Sequence, residues 1–311
     1  MCLTLIIINI DKFVEMEGNL IKKPVWLRVR APSGENYAKV KQSLRSFDLH
    51  TVCEEARCPN ISECWGTGTA TIMIMGNICS RGCRFCAVNS GKPVLVDTNE
   101  PERVANAIKE WGLRYVVITS VCRDDLKDGG AEHIAKTIKA IKVLCPKIIV
   151  ESLIPDFRGN EDSIKTVIDS KPAVISHNIE TVHRLTPKVR DARASYEQSL
   201  LILKEIKSID SSIYTKSSIM LGLGENEQEI IQTIKDLRSV GVNMLTMGQY
   251  LQPNPKYLPV FEYITPEKFD WLRKIAEQMG FVYVASGPLV RSSYRAGEFF
   301  VEKIVTSNKD V

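Results

Sequence analysis

Nine cysteines stand among 311 residues, and they are unevenly placed. Cys53, Cys58 and Cys64 form a C-x4-C-x5-C triplet, and Cys79, Cys83 and Cys86 form a C-x3-C-x2-C triplet. Cys2 and Cys145 read as non-functional and Cys122 as an incidental thiol. Disulfide frameworks belong to short exported chains, and an odd count does not pair off. Structural zinc wants four closed ligands, whereas each triplet supplies three thiolates. None of His50, His133, His177 and His183 falls at paired zinc spacing with them. Thiolates at such spacings hold iron–sulfur clusters, normally four to a 4Fe–4S cluster. Three would leave one iron open, and that is where chemistry can happen. The plainer alternative joins all six into one structural site.

At 44% hydrophobic and 25% charged residues, the composition is that of a globular protein. The net charge of +4 is too small to argue for a nucleic-acid partner. No run approaches the roughly 18–20 apolar residues of a membrane span, so no membrane role is expected. The apolar stretch 1–10, MCLTLIIINI, lacks a basic start and a cleavage site, so a secretory signal is not expected. It reads either as an ordered strand or as a leader ahead of a start at Met16. Clustered cysteines without an export signal lead to the expectation of a cytoplasmic protein.

The elements that must position the triplets read as repeated βα units. Short β-branched runs at 70–75, 115–121, 147–153, 173–177, 214–220 and 244–250 alternate with amphipathic stretches at 104–111, 133–144, 162–169, 196–209 and 227–240. Such alternation predicts an α/β fold: a partial parallel (β/α)6 barrel, helices outside, with N- and C-terminal extensions. A further helix at 266–279 and a strand at 281–285 follow. The expected divisions are an N-terminal extension with the first triplet (1–68), the partial barrel (69–280) and a C-terminal extension (281–311). Active sites of parallel barrels lie at the C-terminal ends of the strands. Cys79, Cys83 and Cys86 follow the first strand at once, so strand order alone puts them at that end.

The C-x3-C-x2-C loop, with an aromatic at Phe85, resembles the radical S-adenosylmethionine (SAM) enzymes. The upstream triplet, RDDLKDGGA at 123–131, GQYLQP at 248–253 and GPLVRSSY at 287–294 narrow the resemblance to the lipoyl synthases. It runs from about residue 25 to 300. It implies the radical SAM type of barrel, two 4Fe–4S clusters, and SAM bound at the cluster of Cys79, Cys83 and Cys86. It implies insertion of two sulfur atoms at C6 and C8 of an octanoyl group amide-linked to a lysine of a carrier domain. The second cluster, on Cys53, Cys58 and Cys64, would be the sacrificed sulfur source. Its fourth iron would be held by a serine of RSSY, assigned to Ser293 with Ser292 the alternative. Unactivated methylenes have no acidic proton, so acid–base catalysis cannot reach them. A cofactor radical can, and the protein positions it.

The resemblance also implies SAM contacts. Phe85 would lie near adenine. SIMLGLGE at 218–225, with Gly222 and Glu225, would form a strand motif beside it. This motif departs from the family pattern at Ser218 and Met220. Thr119 and Ser120 would meet the methionine amino group, and Asn178 and Glu180 the ribose or carboxylate. A plainer reading makes Phe85 a core aromatic and the polar groups ordinary strand-end caps. The implied partners are octanoylated lipoyl carrier proteins, namely the glycine-cleavage H protein or acyltransferase subunits of 2-oxoacid dehydrogenases. An electron donor such as ferredoxin or flavodoxin is also implied. Such carriers are acidic around the modified lysine, and residues 20–32 carry Lys22, Lys23, Arg28 and Arg30 with no acid. Competing functions are a biotin synthase-type enzyme, an electron-transfer iron–sulfur protein and a zinc module.

Overall fold

The computed structural model describes residues 22–29, 34–66 and 71–293. The stretch 1–10, Met16, Arg30 and Tyr294 lie outside the described residues. Among the described residues, ten strands occur: β1 (His50–Thr51), β2 (Thr71–Ile74), β3 (Ile78–Cys79), β4 (Asn89–Ser90), β5 (Tyr115–Ser120), β6 (Ile149–Leu153), β7 (Val174–Ser176), β8 (Tyr214–Leu221), β9 (Met244–Gln249) and β10 (Tyr283–Gly287). The helices are α1 (Glu35–Ser46), α2 (Val52–Glu55), α3 (Ile61–Gly66), α4 (Glu100–Trp111), α5 (Ala131–Leu144), α6 (Glu161–Ile168), α7 (Thr186–Val189), α8 (Tyr196–Ile209), α9 (Glu227–Ser239) and α10 (Pro266–Gln278).

Eight strands form one sheet in the order β1-β2-β5-β6-β7-β8-β9-β10. From β2 to β10 every pairing is parallel, and β1 lies antiparallel against β2. The edges β1 and β10 do not pair among the described residues, so the barrel is partial. β10 adds a seventh parallel strand to the six expected units, inside the segment expected to begin the C-terminal extension. The strands read as near-continuous apolar runs because both faces are covered. On the outer face, alternate residues such as Val116, Ile118, Val150 and Ile175 pack with Val104, Ile108, Ile134 and Ile138 of the helices. A second outer cluster joins Ile219, Leu221, Leu245 and Met247 to Leu203, Ile234 and Leu272. The opposite side chains fill the interior, with Tyr115, Val117, Ile149, Val174 and Met244 forming its own small cluster.

The helices start where the sequence caps them. Ser195 accepts from Gln198 N ahead of α8, and Thr265 accepts from Lys268 N ahead of α10. Asn226 and Glu229 close a reciprocal capping box at α9. Such caps hold each crossover in place and leave the C-terminal strand ends free to carry loops. Among the described residues, no helix is long and apolar enough to cross a membrane.

Candidate metal centres

The loop that leaves β2 turns sharply. Met75 and Gly76 both have positive φ, at 65° and 83°. Met75 is held there by its N–H, which donates to Glu100 Oε2 at 2.8 Å, and that oxygen lies 2.6 Å from His133 Nε2. The two short parallel strands β3 and β4 then clamp the loop's ends, with Gly91 N–H donating to Cys79 O at 2.9 Å.

Between them, Cys79, Cys83 and Cys86 face one another closely enough that each thiolate opposes ionisation of its neighbours. Burial pushes the Cys86 thiol up to about 12 and raises Cys83 as well. Cys79 moves the other way, to about 6, because the Cys122 side chain hydrogen-bonds to it and outweighs burial. Backbone N–H groups point at two of the sulfurs. Arg81 N lies 3.4 Å from Cys79 Sγ, and Asp191 N lies 3.3 Å from Cys83 Sγ.

Ion pairs fix this loop to the barrel. The buried Arg81 guanidinium donates to both oxygens of Asp156 at 2.7 Å and to both oxygens of Asp124 at 2.8 and 2.9 Å. Burial opposes ionisation of Asp156 and Asp124, but Arg81 wins and holds both carboxyls below the usual range. Asp191 accepts from Gly82 N at 2.8 Å and from Arg193, while Arg193 also reaches Ser80 O at 2.8 Å and Asp124 at 3.0 Å. Asp124 belongs to RDDLKDGGA, and Asp128 of the same stretch caps α5 through Gly130 N and Glu132 N.

The first triplet also adjoins β2. β1 pairs with β2, α2 carries Cys53, and α3 carries Cys64. Thr51 caps α2 by accepting from Glu54 N. Burial pushes the Cys53 thiol up to about 11, with the Cys58 charge adding to it, and the Thr71 N–H and the Trp65 indole oppose that rise. Burial also raises Cys58, against the Asn60 N–H and the Arg291 guanidinium. Asn60 Nδ2 donates to Leu289 O at 2.7 Å, which brings the segment with Ser292 and Ser293 to this triplet. Gly248 of GQYLQP permits that approach, because a Cβ there would sit 2.0 Å from Val290 O.

The expected SAM contacts are divided. Asn178 Oδ1 and Ser120 Oγ are buried without a partner, and Asn178 Nδ2 donates to Glu180 at 3.1 Å. Glu180 has φ of 68°, a conformation costly for a residue with a Cβ. Its charge acts on Cys83 and Cys86, so it lies beside the triplet. Thr119 Oγ1 is already donated to Leu153 O at 3.1 Å. Glu225 is turned into its own loop, accepting from Gly222 N and Leu223 N. Gly222, at φ of 98°, has Gln249 Nε2 and Glu262 O within 2.4 Å of where a Cβ would be. Phe85 is half-buried against the second outer cluster.

Residue types alone did not single out Arg81, Asp156, Asp191, Arg193 or Asn60. A usable signal was Arg81 between two cysteines of the loop: a guanidinium buried there must find carboxylates.

The thiols fit iron–sulfur clusters. They are soft donors with backbone N–H groups aimed at sulfur, and each triplet has three of them. Among the described residues, no three metal-binding side chains converge on one point as a single ion requires. A cluster spreads its thiolates over separate irons.

An open parallel barrel with a three-cysteine loop beyond its first parallel strand defines a radical SAM protein. The model of the Radical SAM superfamily matches residues 73–237, and that of the N-terminal domain of lipoyl synthase matches residues 10–58. The chain belongs to the lipoyl synthase family. It is 55% identical over 299 residues to the mitochondrial lipoyl synthase of Drosophila melanogaster, covering 94% of this chain and 79% of the relative. It is 54% identical to that of Homo sapiens, covering 94% and 80%. Among solved structures, the FeFe-hydrogenase maturase HydG shares the fold with a TM-score of 0.55 at 14% identity, covering 87% of this chain and 71% of that one. SuiB of Streptococcus suis bound to S-adenosylmethionine has a TM-score of 0.54 at 11% identity, covering 81% and 56%.

The expectation of a cytoplasmic protein is overturned, because these relatives are named mitochondrial. Cysteine usage separates oxidising from reducing compartments, not one reducing compartment from another.

Proposed function

We propose that Cys79, Cys83 and Cys86 hold the 4Fe–4S cluster of this family and that Cys53, Cys58 and Cys64, completed by Ser293, hold a second one. The reaction is that of a lipoyl synthase: two sulfur atoms enter at C6 and C8 of an octanoyl group amide-linked to a lysine of a lipoyl carrier domain. The bound cluster and SAM supply a radical strong enough to take hydrogen from an unactivated methylene. Cys53, Cys58, Cys64 and Ser293 would hold the group whose sulfide supplies the inserted atoms.

The chain's own residues do the positioning. Arg81, Asp124, Asp156, Asp191 and Arg193 hold the cysteine loop rigid beyond β2. The unpartnered Asn178 Oδ1 and Ser120 Oγ suit the amino and hydroxyl groups of SAM. Glu180 stands beside the same loop. Thr119, Gly222, Glu225 and Phe85 shape the surrounding strand ends. In this reading 1–68 serves the second cluster, 69–280 the radical, and 281–311 brings the serine. Lys22, Lys23 and Arg28 are exposed and form a basic surface for an acidic carrier, the H protein or an acyltransferase subunit. A small reductant of the ferredoxin or flavodoxin type supplies electrons. The mitochondrion is the compartment.

The observation that carries the reading is that both triplets adjoin β2: the first follows β1, which pairs along one edge of β2, and the second lies in the loop that β2 feeds. Anaerobic reconstitution tests it. Wild-type protein should bind about eight irons, and Cys58→Ala about four. That variant should still cleave SAM yet form no thiolated product on an octanoylated carrier peptide. Product formation by Cys58→Ala at the wild-type rate would refute the reading.

A further inference from the structure

Three contacts meet at one uncharged residue between the first triplet and the C-terminal segment. The Asn60 N–H faces the Cys58 sulfur. Its carbonyl accepts from Cys64 N at 2.9 Å. Its side-chain amide donates to Leu289 O at 2.7 Å, across 229 positions of sequence. Asn60 is only 3% exposed, so none of these bonds is exchanged cheaply for water.

The same segment is pressed from the opposite side. Gly248, paired with Gly287 at the ends of β9 and β10, lets Val290 O come where a Cβ would sit 2.0 Å away. Beyond it, the guanidinium of Arg291 turns back to donate to Val290 O at 2.7 Å. The segment 288–293 is thus a strap across the open side of the barrel, from the edge strand β10 to the triplet beside β1.

We propose that Asn60 is the positioning residue of the second cluster site: it clips the strap to the cysteine triplet and so sets where Ser292 and Ser293 stand. The proposal rests on the two-cluster reading above. It gives Asn60 a job distinct from ligation, that of spending its amide N–H on the Leu289 carbonyl. It also gives Gly248 a job, that of keeping the strap's path clear.

The test uses the full chain, reconstituted without oxygen, as wild type, Asn60→Ala, Asn60→Asp and Gly248→Ala. Asn60→Asp keeps the shape and removes the donor. Gly248→Ala pushes on the strap without touching Asn60 or the N-terminal helices. Iron and sulfide content, Mössbauer spectra, 5′-deoxyadenosine release and thiolated product are measured on each. Expected for all three variants is loss of second-cluster occupancy, or an altered signature at its non-cysteine iron. Thiolated product should fall about 10–100-fold, the usual cost of losing an outer partner of a metal site. Deoxyadenosine release by the barrel cluster should stay within about twofold of wild type, because the cysteine loop is held by other residues. A purely structural role for Asn60 would depress both readouts together. If Asn60→Ala does not fold, Asn60→Asp and Gly248→Ala decide the matter. Full iron content, an unchanged iron spectrum and wild-type product in either of those would overturn the proposal. Wild-type protein holding only about four irons would instead overturn the two-cluster reading.

Discussion

The two cysteine triplets adjoin one strand, yet they are held in different ways. The loop of Cys79, Cys83 and Cys86 is fixed by a buried guanidinium shared between two carboxylates, a second Arg–Asp pair and a clamp of short strands. The segment of Cys53, Cys58 and Cys64 sits on two short helices at the sheet's edge and meets the rest of its site through Asn60. Charge-assisted bonds to a rigid sheet suit a cofactor that must stay put through many turnovers. A site made of short helices and one uncharged clip suits a cofactor that is dismantled and replaced. The difference in fastening therefore tracks the difference in fate that the proposed reaction demands.

The largest effect is expected from breaking the stiffer side. Arg81→Ala leaves Asp156 buried without its cation, which should cost about 3–5 kcal/mol. Thermal unfolding of the apoprotein measures this; in separately reconstituted protein, iron should be lost from the barrel loop first. An unchanged midpoint would show that the ion pairs are not what holds that loop.

Acid should reveal the same asymmetry. His177 closes β7 against α8, with Nδ1 on Ile154 O at 3.0 Å and Nε2 on Ser199 Oγ at 2.9 Å. Burial pushes its pKa down from 6.5 to about 4, so the unfolded chain takes up this proton first as pH falls. The stabilisation is complete above about pH 6.5, declines below that and is gone near pH 4, a loss of up to about 3 kcal/mol. Stability measured against pH should show that decline, and His177→Gln should flatten it.

Asp191→Asn is a smaller perturbation. It keeps an acceptor for Gly82 N but removes the charge facing the half-exposed Arg193, so about 1 kcal/mol is expected in chemical denaturation. A loss as large as that of Arg81→Ala would mean the loop has two anchors of equal weight. The smallest stability effect belongs to the exposed Arg28. Arg28→Glu should leave the melting temperature unchanged and raise KM for an octanoylated carrier domain in a salt-sensitive way. An unchanged KM at low salt would remove this surface from the docking site.

The parallel sheet was legible because apolar runs such as YVVITS and amphipathic stretches alternate with a clear change of period. The expected strand at 115–121 is observed as Tyr115–Ser120, and the helix at 196–209 as Tyr196–Ile209. Strands β1, β3 and β4 were not legible, since two residues carry no periodicity. The cysteine spacing singled out the residues proposed to hold the clusters, but not the groups that hold those residues in place. Asp156, Asp191 and Asn60 lie far in sequence from what they bind, and nothing local marks an aspartate as the partner of a particular arginine. Glu225 and Gly222 show the reverse: a motif legible in sequence whose side chain and glycine already serve their own loop.

The 229-residue span of the Asn60–Leu289 contact has a consequence for the order in which the molecule is built. As the chain leaves the ribosome, the charged side chains that grip the Cys79–Cys86 loop, namely Asp124, Asp156, Asp191 and Arg193, have all emerged by Arg193. The earlier cysteines must wait for Leu289, 229 positions after Asn60. Of the two sites, the one encoded first is therefore the one completed last.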